Sequence, residues 1–329
     1  MMRIMYIDDG GQVQVMADMP PGWRYDSVDK STLLWIDLNQ VQDNASVEQF
    51  LSQQFGFHPL AIDDALYEEH LPKVDDWENY LYIALQDLTY EANSVTVAMP
   101  ELDLFLGKQY LVTYHPEAVT AVDRVWQLCQ RNSRWLQHGA DHLLYRLIDE
   151  IVNNYTAVLD QLENRILQLE NQIFTQPTAP LLEQMTHYKR TVLEIRRVVA
   201  PQREVVNKLA REPFWVIGEK DQVYFRDVYD HMVRLYNDSD SVRDLLTGNM
   251  ELYLSVVNNR MNDVMKTLTI ITTLFMPLTF ITGFFGMNFF QAVLPSRAWT
   301  GPGMLVLALA VMVLLPLAMF YWMRRRAWM

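Results

Sequence analysis

Residues 267–296 read TLTIITTLFMPLTFITGFFGMNFFQAVLPS, a run of 30 residues without a charged side chain between Lys266 and Arg297. A second run, residues 298–323, extends for 26 residues before Arg324. Each run exceeds the roughly 20 apolar residues that cross the hydrocarbon core of a bilayer. Both contain a proline, which membrane helices tolerate better than soluble helices do. A buried hairpin in a soluble protein is the alternative, but two such runs in succession favour two transmembrane helices.

The basic residues that flank the two runs predict the orientation of the chain. Lys266 precedes the first run and Arg324, Arg325 and Arg326 follow the second, whereas Arg297 alone lies between them. Because cytoplasmic flanks of membrane helices are enriched in lysine and arginine, we expect the chain to lie in the cell (inner) membrane with both termini in the cytoplasm.

The rest of the chain is acidic. The net charge is −13, and residues from Lys266 onward include five basic and no acidic side chains, so residues 1–265 carry −18. This balance disfavours a nucleic-acid partner and can concentrate cations. The single cysteine, Cys129, excludes both an intramolecular disulfide and a cysteine-based zinc motif. The first residues contain no apolar run typical of a signal peptide, so we expect this part in the cytosol.

Residues 1–120 mix the patterns of strands and helices, which predicts an α/β domain. The pair Gly107-Lys108 favours a type II′ hairpin between two apolar strands. The predicted strands are 2–7, 13–16, 33–38, 80–89, 95–100, 102–106 and 109–114, and the predicted helices are 47–55 and 59–67.

From about residue 118 the pattern becomes helical, with long amphipathic stretches at 141–174 and 181–209 and a third from about 221 to 286. The third would be about 97 Å long at 1.5 Å per residue. The predicted fold class is therefore an α+β membrane protein. Its predicted parts are a cytosolic α/β domain (1–120), a cytosolic helical region (121–220), a stalk helix (221–266), a first transmembrane helix (267–286), an outward loop (287–301), a second transmembrane helix (302–323) and a basic cytosolic tail (324–329).

A polar seam follows the third helix in alternating steps of four and three residues. From Asn237 to Gly286 every seam residue is small or polar except Met265 and Met276, while bulky apolar residues occupy neighbouring positions. This arrangement suits a ring of identical helices around a wet lumen, although close helix packing through threonine and glycine is an alternative. The membrane part of the seam has no ionisable residue, which argues against a proton relay within it.

The tripeptide Gly286-Met287-Asn288 follows MPLTF (276–280) at the end of the first uncharged run. This resembles the CorA family of divalent-cation channels, whose signature is Gly-Met-Asn at the outer end of the first of two C-terminal membrane helices. The stretches 225–231 and 145–149, and Asp63-Asp64 near Pro72-Lys73, also resemble that family. The resemblance implies a funnel-shaped homopentamer in which the stalk helix continues as the pore-lining helix.

The resemblance also implies roles for the residues of this helix. Gly286, Met287 and Asn288 would form a selectivity filter, with the Asn288 amide binding a hydrated Mg²⁺ at the outer mouth; the plainer alternative for Asn288 is a helix C-cap. Met265, Leu268 and Met276 would form apolar constrictions, and Glu251 would draw ions out of the pore. The implied pore-lining residues are Glu251, Asn262, Met265, Leu268, Thr272, Met276, Thr279 and Gly283.

Members of the family sense cytosolic Mg²⁺ at carboxylates between subunits. By resemblance Asp64 and Asp227 form the primary pair, and Asp63, Asp149 and His231 occupy secondary positions. A bound divalent ion would cancel the repulsion between facing carboxylates and hold the ring closed. The alternative for each acid is a solvated helix-face residue.

Two features leave the transported ion open. The loop 289–297 lacks the acidic residues of many family members and contains Arg297, which would weaken cation attraction at the mouth. The zinc-transporting ZntB branch varies at this loop too, but Met287 favours the magnesium branch. We expect a Mg²⁺ uptake channel, also passing Co²⁺ and Ni²⁺, driven by the membrane potential. The alternatives are a proton-coupled Zn²⁺ transporter and an enzyme tethered by a membrane hairpin, for which no catalytic motif is found.

Overall fold

The computed structural model describes residues 2–7, 12–17, 19, 33–39, 43–90, 97–287 and 301–326. The chain divides into two compact units, Met1–Leu252 and Tyr253–Met329. The strands are β1 Met2–Ile7, β2 Val13–Met16, β3 Leu34–Asn39, β4 Lys73–Asp76, β5 Leu81–Gln86, β6 Thr89–Tyr90, β7 Val97–Ala98, β8 Glu101–Leu106 and β9 Tyr110–His115. The helices are α1 Asn44–Phe50, α2 Pro59–Tyr67, α3 Thr120–Arg131, α4 Arg134–Gln137, α5 Ala140–Thr175, α6 Ala179–Arg211, α7 Gln222–Phe285 and α8 Pro302–Arg325.

The first unit is built on a seven-stranded sheet with the order β2-β1-β3-β9-β8-β5-β4. Strands β3 and β9 are parallel neighbours at its centre, and the other adjacent strands are antiparallel. The central strands are apolar over nearly their whole length because both faces of the sheet are covered. Helix α1, its π-helical extension Leu51–Phe55 and α2 pack on one face, and α3 packs on the other, where Trp126 contacts Trp35 at 4.8 Å between ring centroids.

The hairpin between β8 and β9 differs from the predicted type II′ turn. The Gly107 N–H donates to the Tyr110 carbonyl at 3.0 Å, so Lys108 and Gln109 form the turn. Gly107 also lacks the positive φ that a type II′ turn requires at its first central residue. The glycine is needed for another reason: a Cβ there would lie 2.2 Å from the Tyr110 ring.

The single strand predicted over 80–89 is interrupted by the buried carboxylate of Asp87. This side chain accepts hydrogen bonds from the backbone N–H groups of Leu88 (2.8 Å) and Ala121 (3.0 Å) and from the Asn154 amide (2.8 Å). These bonds turn the chain away from the sheet ladder after β5. Strand β6 then pairs with β7 in a separate two-stranded sheet; residues 95–96 of the predicted strand 95–100 lie outside the described residues.

Two carboxylates are buried inside the main sheet. Asp37 on β3 lies 2.6 Å from the Arg3 Nε and 3.1 Å from the His115 Nε2, and it accepts a hydrogen bond from the Thr113 hydroxyl at 2.6 Å. Asp103 on β8 accepts a hydrogen bond from the Tyr82 hydroxyl at 2.7 Å. The two acids therefore have different surroundings, one beside a guanidinium and an imidazole and the other beside a phenol.

The helices follow the sequence expectation closely. Helix α5 ends before the sequence Gln176-Pro177-Thr178, and α6 continues through Pro201 without interruption. Helix α7 is one helix of 64 residues that contains Pro277. The α/β unit, the long helix and the two C-terminal apolar helices confirm the predicted fold class.

The second unit consists of the last part of α7 and α8, and both helices are long and apolar enough to cross a membrane. Large apolar side chains are exposed here, with Phe275, Met276 and Phe280 between 61% and 73% exposed. A soluble monomer does not leave so much contiguous apolar surface in water, whereas lipid and neighbouring helices cover such surface in a membrane.

Candidate functional site

Helix α2 presents the two predicted regulatory acids on the face opposite its apolar face. Ala61, Ile62 and Leu66 pack against the sheet, so Asp63 is exposed and Asp64 is half-buried at the edge of the domain. The Asp64 Oδ2 lies 2.5 Å from the Lys73 ammonium on β4.

Helices α5 and α7 bring together the other three predicted regulatory residues. The His231 Nε2 lies 4.0 Å from the Asp227 carboxylate one turn earlier on α7. Asp149 on α5 lies 3.0 Å from the Arg146 guanidinium. Burial raises the pKa of Asp149, the charges of Arg146 and His231 oppose the rise, and Glu150 and Asp227 add to it. Asp149, Asp227 and His231 therefore form one acidic group with a single histidine.

The two groups belong to different elements of the chain. Asp64 forms an ion pair with Lys73 and has the His70 Nε2 3.3 Å away, whereas Asp227 is 66% exposed and its nearest partner is His231 at 4.0 Å. The resemblance implies that Asp64 of one subunit pairs with Asp227 of the next. The structure of a single chain does not test this pairing. It stays a prediction.

The predicted pore residues lie along α7. Asn262, Met265, Leu268, Thr272, Met276, Thr279 and Gly283 are all exposed in the single chain, as is Glu251 nearer the start of the helix. A Cβ at Gly283 would meet nothing within 4 Å. The lining role of these residues stays a prediction, because no second copy of the chain is present to close a lumen.

The threonines of this segment share one hydrogen-bonding arrangement. The hydroxyls of Thr272 and Thr279 donate to the carbonyls of Leu268 (2.8 Å) and Phe275 (3.0 Å) four residues earlier. Thr269 and Thr282 do the same. Because the hydroxyl proton is used inside the helix, the exposed lone pairs of each Oγ1 remain as acceptors. Such oxygens suit a cation or the water protons of its hydration shell.

The Gly-Met-Asn tripeptide begins where α7 ends. The Gly286 N–H donates to the Thr282 carbonyl at 2.9 Å, and a Cβ at Gly286 would lie 3.0 Å from that same oxygen. Glycine at this position therefore avoids a close contact between a side chain and the Thr282 carbonyl at the end of the helix. Met287 is the last described residue of this stretch and is 53% exposed; Asn288 lies outside the described residues, as does Arg297.

Sequence reasoning missed the side chains that surround Asp64. The His70 Nε2 lies 3.3 Å from the Asp64 Oδ1 and 3.6 Å from the Glu68 Oε2. The spacing Asp64-x3-Glu68-x-His70 is a signal that was available, since residues four apart share one helix face and the chain leaves the helix after Tyr67.

The long helix that enters an uncharged span, the second apolar helix and the oxygen-lined face define a two-span membrane transport protein. The family described as a CorA-like Mg²⁺ transporter protein matches residues 30–325. The chain belongs to this family. The predicted family is confirmed, as are the membrane location and the prediction that the chain is not an enzyme, because this is a family of transporters.

Individual relatives agree with that assignment. The cobalt/magnesium transport protein CorA of Thermotoga maritima is 34% identical over 302 residues, covering 92% of this chain and 85% of that protein. The zinc transport protein ZntB of Yersinia pseudotuberculosis is 22% identical over 272 residues, covering 82% and 81%. The complete structure of the CorA magnesium transporter from Methanocaldococcus jannaschii superposes with a TM-score of 0.83 at 25% identity, covering 99% of this chain and 98% of that one.

Proposed function

We propose that this protein is a homopentameric channel for Mg²⁺ uptake that also passes Co²⁺ and Ni²⁺, is driven by the membrane potential and is closed by cytosolic Mg²⁺. The observation that carries the proposal is the continuity of α7. One helix of 64 residues includes both the regulatory Asp227 and the uncharged, oxygen-bearing span that ends at Gly286-Met287-Asn288. A change at its acidic end can therefore reach the pore through the helix itself.

The pore chemistry suits an ion that keeps its water. Mg²⁺ dehydrates reluctantly and holds several waters when it binds. Rings of Thr272 and Thr279 hydroxyls, and the Asn288 amides at the mouth, would hydrogen-bond those waters without the strong attraction of a carboxylate ring. Apolar rings of Met265, Leu268 and Met276 would close the lumen to water when they approach one another.

Five copies of the chain would account for the exposed apolar surface of the second unit. In this arrangement α7 lines the lumen, α8 forms an outer ring and both termini face the cytoplasm, as the basic flanks predict. The loop that contains Arg297 would lie outside, where five positive charges lower the local concentration of cations.

The regulatory ion would lie between Asp64 of one subunit and Asp227 of the next, with Asp63, Asp149 and His231 nearby. The donors fit Mg²⁺, since carboxylate oxygens are its preferred protein ligands. Lys73 engages only the Oδ2 of Asp64, so the Oδ1 is available to a metal ion. With the ion bound, repulsion between the acidic faces of adjacent subunits is cancelled and the closed ring is stabilised.

Asp227→Asn is expected to weaken closure, so that a higher internal Mg²⁺ concentration is needed to stop influx. The neutral amide removes one ligand charge, so Mg²⁺ binds between Asp64 and residue 227 more weakly. Influx into liposomes preloaded with graded Mg²⁺ measures the shift. Asp230→Asn is a matched control, because Asp230 is also exposed on α7. An unchanged closing concentration in Asp227→Asn, or an equal shift in Asp230→Asn, would remove Asp227 from the regulatory site.

The proposal as a whole is tested by Mg²⁺ influx into liposomes that contain the purified chain, with an internal Mg²⁺ indicator, an inside-negative potential and no pH gradient. We expect influx that depends on the potential and is absent from protein-free liposomes. Zn²⁺ is measured separately with a Zn²⁺ indicator. Zn²⁺ entry that requires a pH gradient, without Mg²⁺ influx, would overturn the proposal in favour of the ZntB-like alternative.

A further inference from the structure

Asp64, Glu68 and His70 form a compact set of ligand atoms beside the end of α2. One oxygen or nitrogen from each residue lies within 4.8 Å of the other two, and within the described ranges no other group of three such side chains does so. The set contains an imidazole, which separates it from the carboxylate pairs that serve Mg²⁺.

The imidazole nitrogen points between two carboxylates without bonding to either. The His70 Nε2 is 3.3 Å from the Asp64 Oδ1 and 3.6 Å from the Glu68 Oε2. This nitrogen is shielded from solvent and makes no hydrogen bond. With metal–ligand distances of about 2.1 Å, adjacent ligand atoms of a tetrahedral site are about 3.4 Å apart. The observed separations match that value.

The backbone of His70 is fixed on both sides, which holds the imidazole in this position. Its N–H donates to the Glu101 carboxylate at 3.2 Å, and its carbonyl accepts a hydrogen bond from the Gln86 amide at 3.3 Å. Lys73 binds the other oxygen of Asp64, so the Oδ1 remains directed at the histidine. Glu68 is 68% exposed and can adjust its side chain as an ion enters.

We propose that Asp64, Glu68 and His70 of a single chain form a binding site for a divalent transition ion such as Co²⁺, Ni²⁺ or Zn²⁺. Imidazole suits these ions, whereas Mg²⁺ prefers oxygen ligands alone. One consequence rests on the proposed function: an ion at this site takes the Asp64 oxygen that intersubunit Mg²⁺ would use, so the two ions compete for Asp64.

The test is a Co²⁺ titration of the metal-free, full-length protein in detergent, followed by the visible absorption of the bound ion. We expect a Co²⁺ spectrum with an imidazole ligand, and excess Mg²⁺ should raise the Co²⁺ concentration needed to saturate it, because both ions use Asp64. His70→Ala is expected to weaken this binding by about 100-fold or more, and Glu68→Gln by about tenfold. Glu68 is exposed, so its variant keeps the test informative if His70→Ala fails to fold.

Three controls separate this site from others. Glu69→Gln makes the same charge change one residue later, and His187→Ala removes a histidine on α6; both should leave the Co²⁺ spectrum unchanged. Asp227→Asn should also leave it unchanged, although it alters closure by Mg²⁺. A spectrum retained in both His70→Ala and Glu68→Gln, or lost in Asp227→Asn, would overturn the proposal. Binding is measured without transport, so failure of the channel hypothesis would leave this result interpretable.

Discussion

Asn288→Ala is expected to reduce Mg²⁺ influx into proteoliposomes to the level of protein-free liposomes. Five amide side chains would lie at the outer end of the first transmembrane helix, where a hydrated ion first meets the protein. Alanine offers no oxygen to the water shell, and the preceding turn has already used its own donors within the helix. The hydrated ion would then lose contacts with bulk water at the mouth without gaining contacts with the protein there, which raises the free energy of entry into the span.

Gln291→Ala is the matched control for this prediction, because it removes a similar amide three residues later in the same loop. We expect influx close to that of the unchanged protein. Both variants should insert and assemble alike, which size-exclusion profiles in detergent would check. Substantial influx through an assembled Asn288→Ala protein would contradict the filter role, and equal loss in Gln291→Ala would assign the effect to the loop as a whole.

Asp37→Asn is expected to destabilise the protein by about 3–5 kcal/mol. Burial raises the pKa of Asp37, but the hydrogen bond and charge of His115 and the charge of Arg3 outweigh it, so the pKa is lowered overall. The carboxylate is therefore ionised, and its neutral replacement removes the acceptor charge beside the buried His115 ring and leaves the Arg3 guanidinium with Asp123 as its remaining ion-pair partner. The midpoint of thermal unfolding, followed by circular dichroism of the full chain, should fall by on the order of 10 °C.

The pH dependence of this effect has a definite sign. Because the folded pKa of Asp37 lies below its unfolded value, its contribution is present above the unfolded pKa of about 3.9 and is lost as the pH falls through the folded value. The difference between Asp37→Asn and the unchanged protein should therefore be full near neutral pH and shrink in acid. A difference that is constant with pH would show that lost packing, and not lost charge, causes the destabilisation.

Asp103→Asn provides the matched control from the same sheet. Burial, with the nearby charge of Glu101, raises the pKa of Asp103 well above its usual value, which favours the neutral acid. The asparagine is close in shape and neutral, and its oxygen can still accept the Tyr82 hydrogen bond. We expect a loss within about 1 kcal/mol. A loss as large as that of Asp37→Asn would contradict the assignment of opposite protonation states.

The elements of this fold were largely predictable from sequence because each depends on nearby residues. Strand β1 and helix α2 have the predicted bounds, and α7 ends within one residue of the predicted end. Apolar alternation, a helix-initiating proline and uncharged runs are local signals. One error comes from a side chain three residues away, the Tyr110 ring that occupies the space above Gly107. The other comes from groups distant in sequence, Ala121 and Asn154, which bind Asp87.

The residues of the candidate site also divide into those that the sequence could identify and those that it could not. The predicted pore-lining residues and the predicted regulatory acids come from resemblance at short motifs, and most of the former also lie on the polar seam of one helix, so both could be named without coordinates. The partners of Asp64 could not, because Lys73 reaches it from strand β4 and the direction of the His70 ring depends on bonds to Glu101 and Gln86. The charges that surround a side chain are set by tertiary packing.

The sequence alone determined that this chain has two apolar helices long enough to span a membrane, an acidic body and a tripeptide at the end of the first span, because length, charge and spacing are properties of contiguous residues. Only the tertiary structure decided that the pKa of Asp37 is lowered and that of Asp103 is raised. Both are aspartates within apolar strands, but the neighbours that fix their charge, His115 and Tyr82, are 78 and 21 residues away along the chain. Protonation follows the local electrostatic environment, and folding creates that environment.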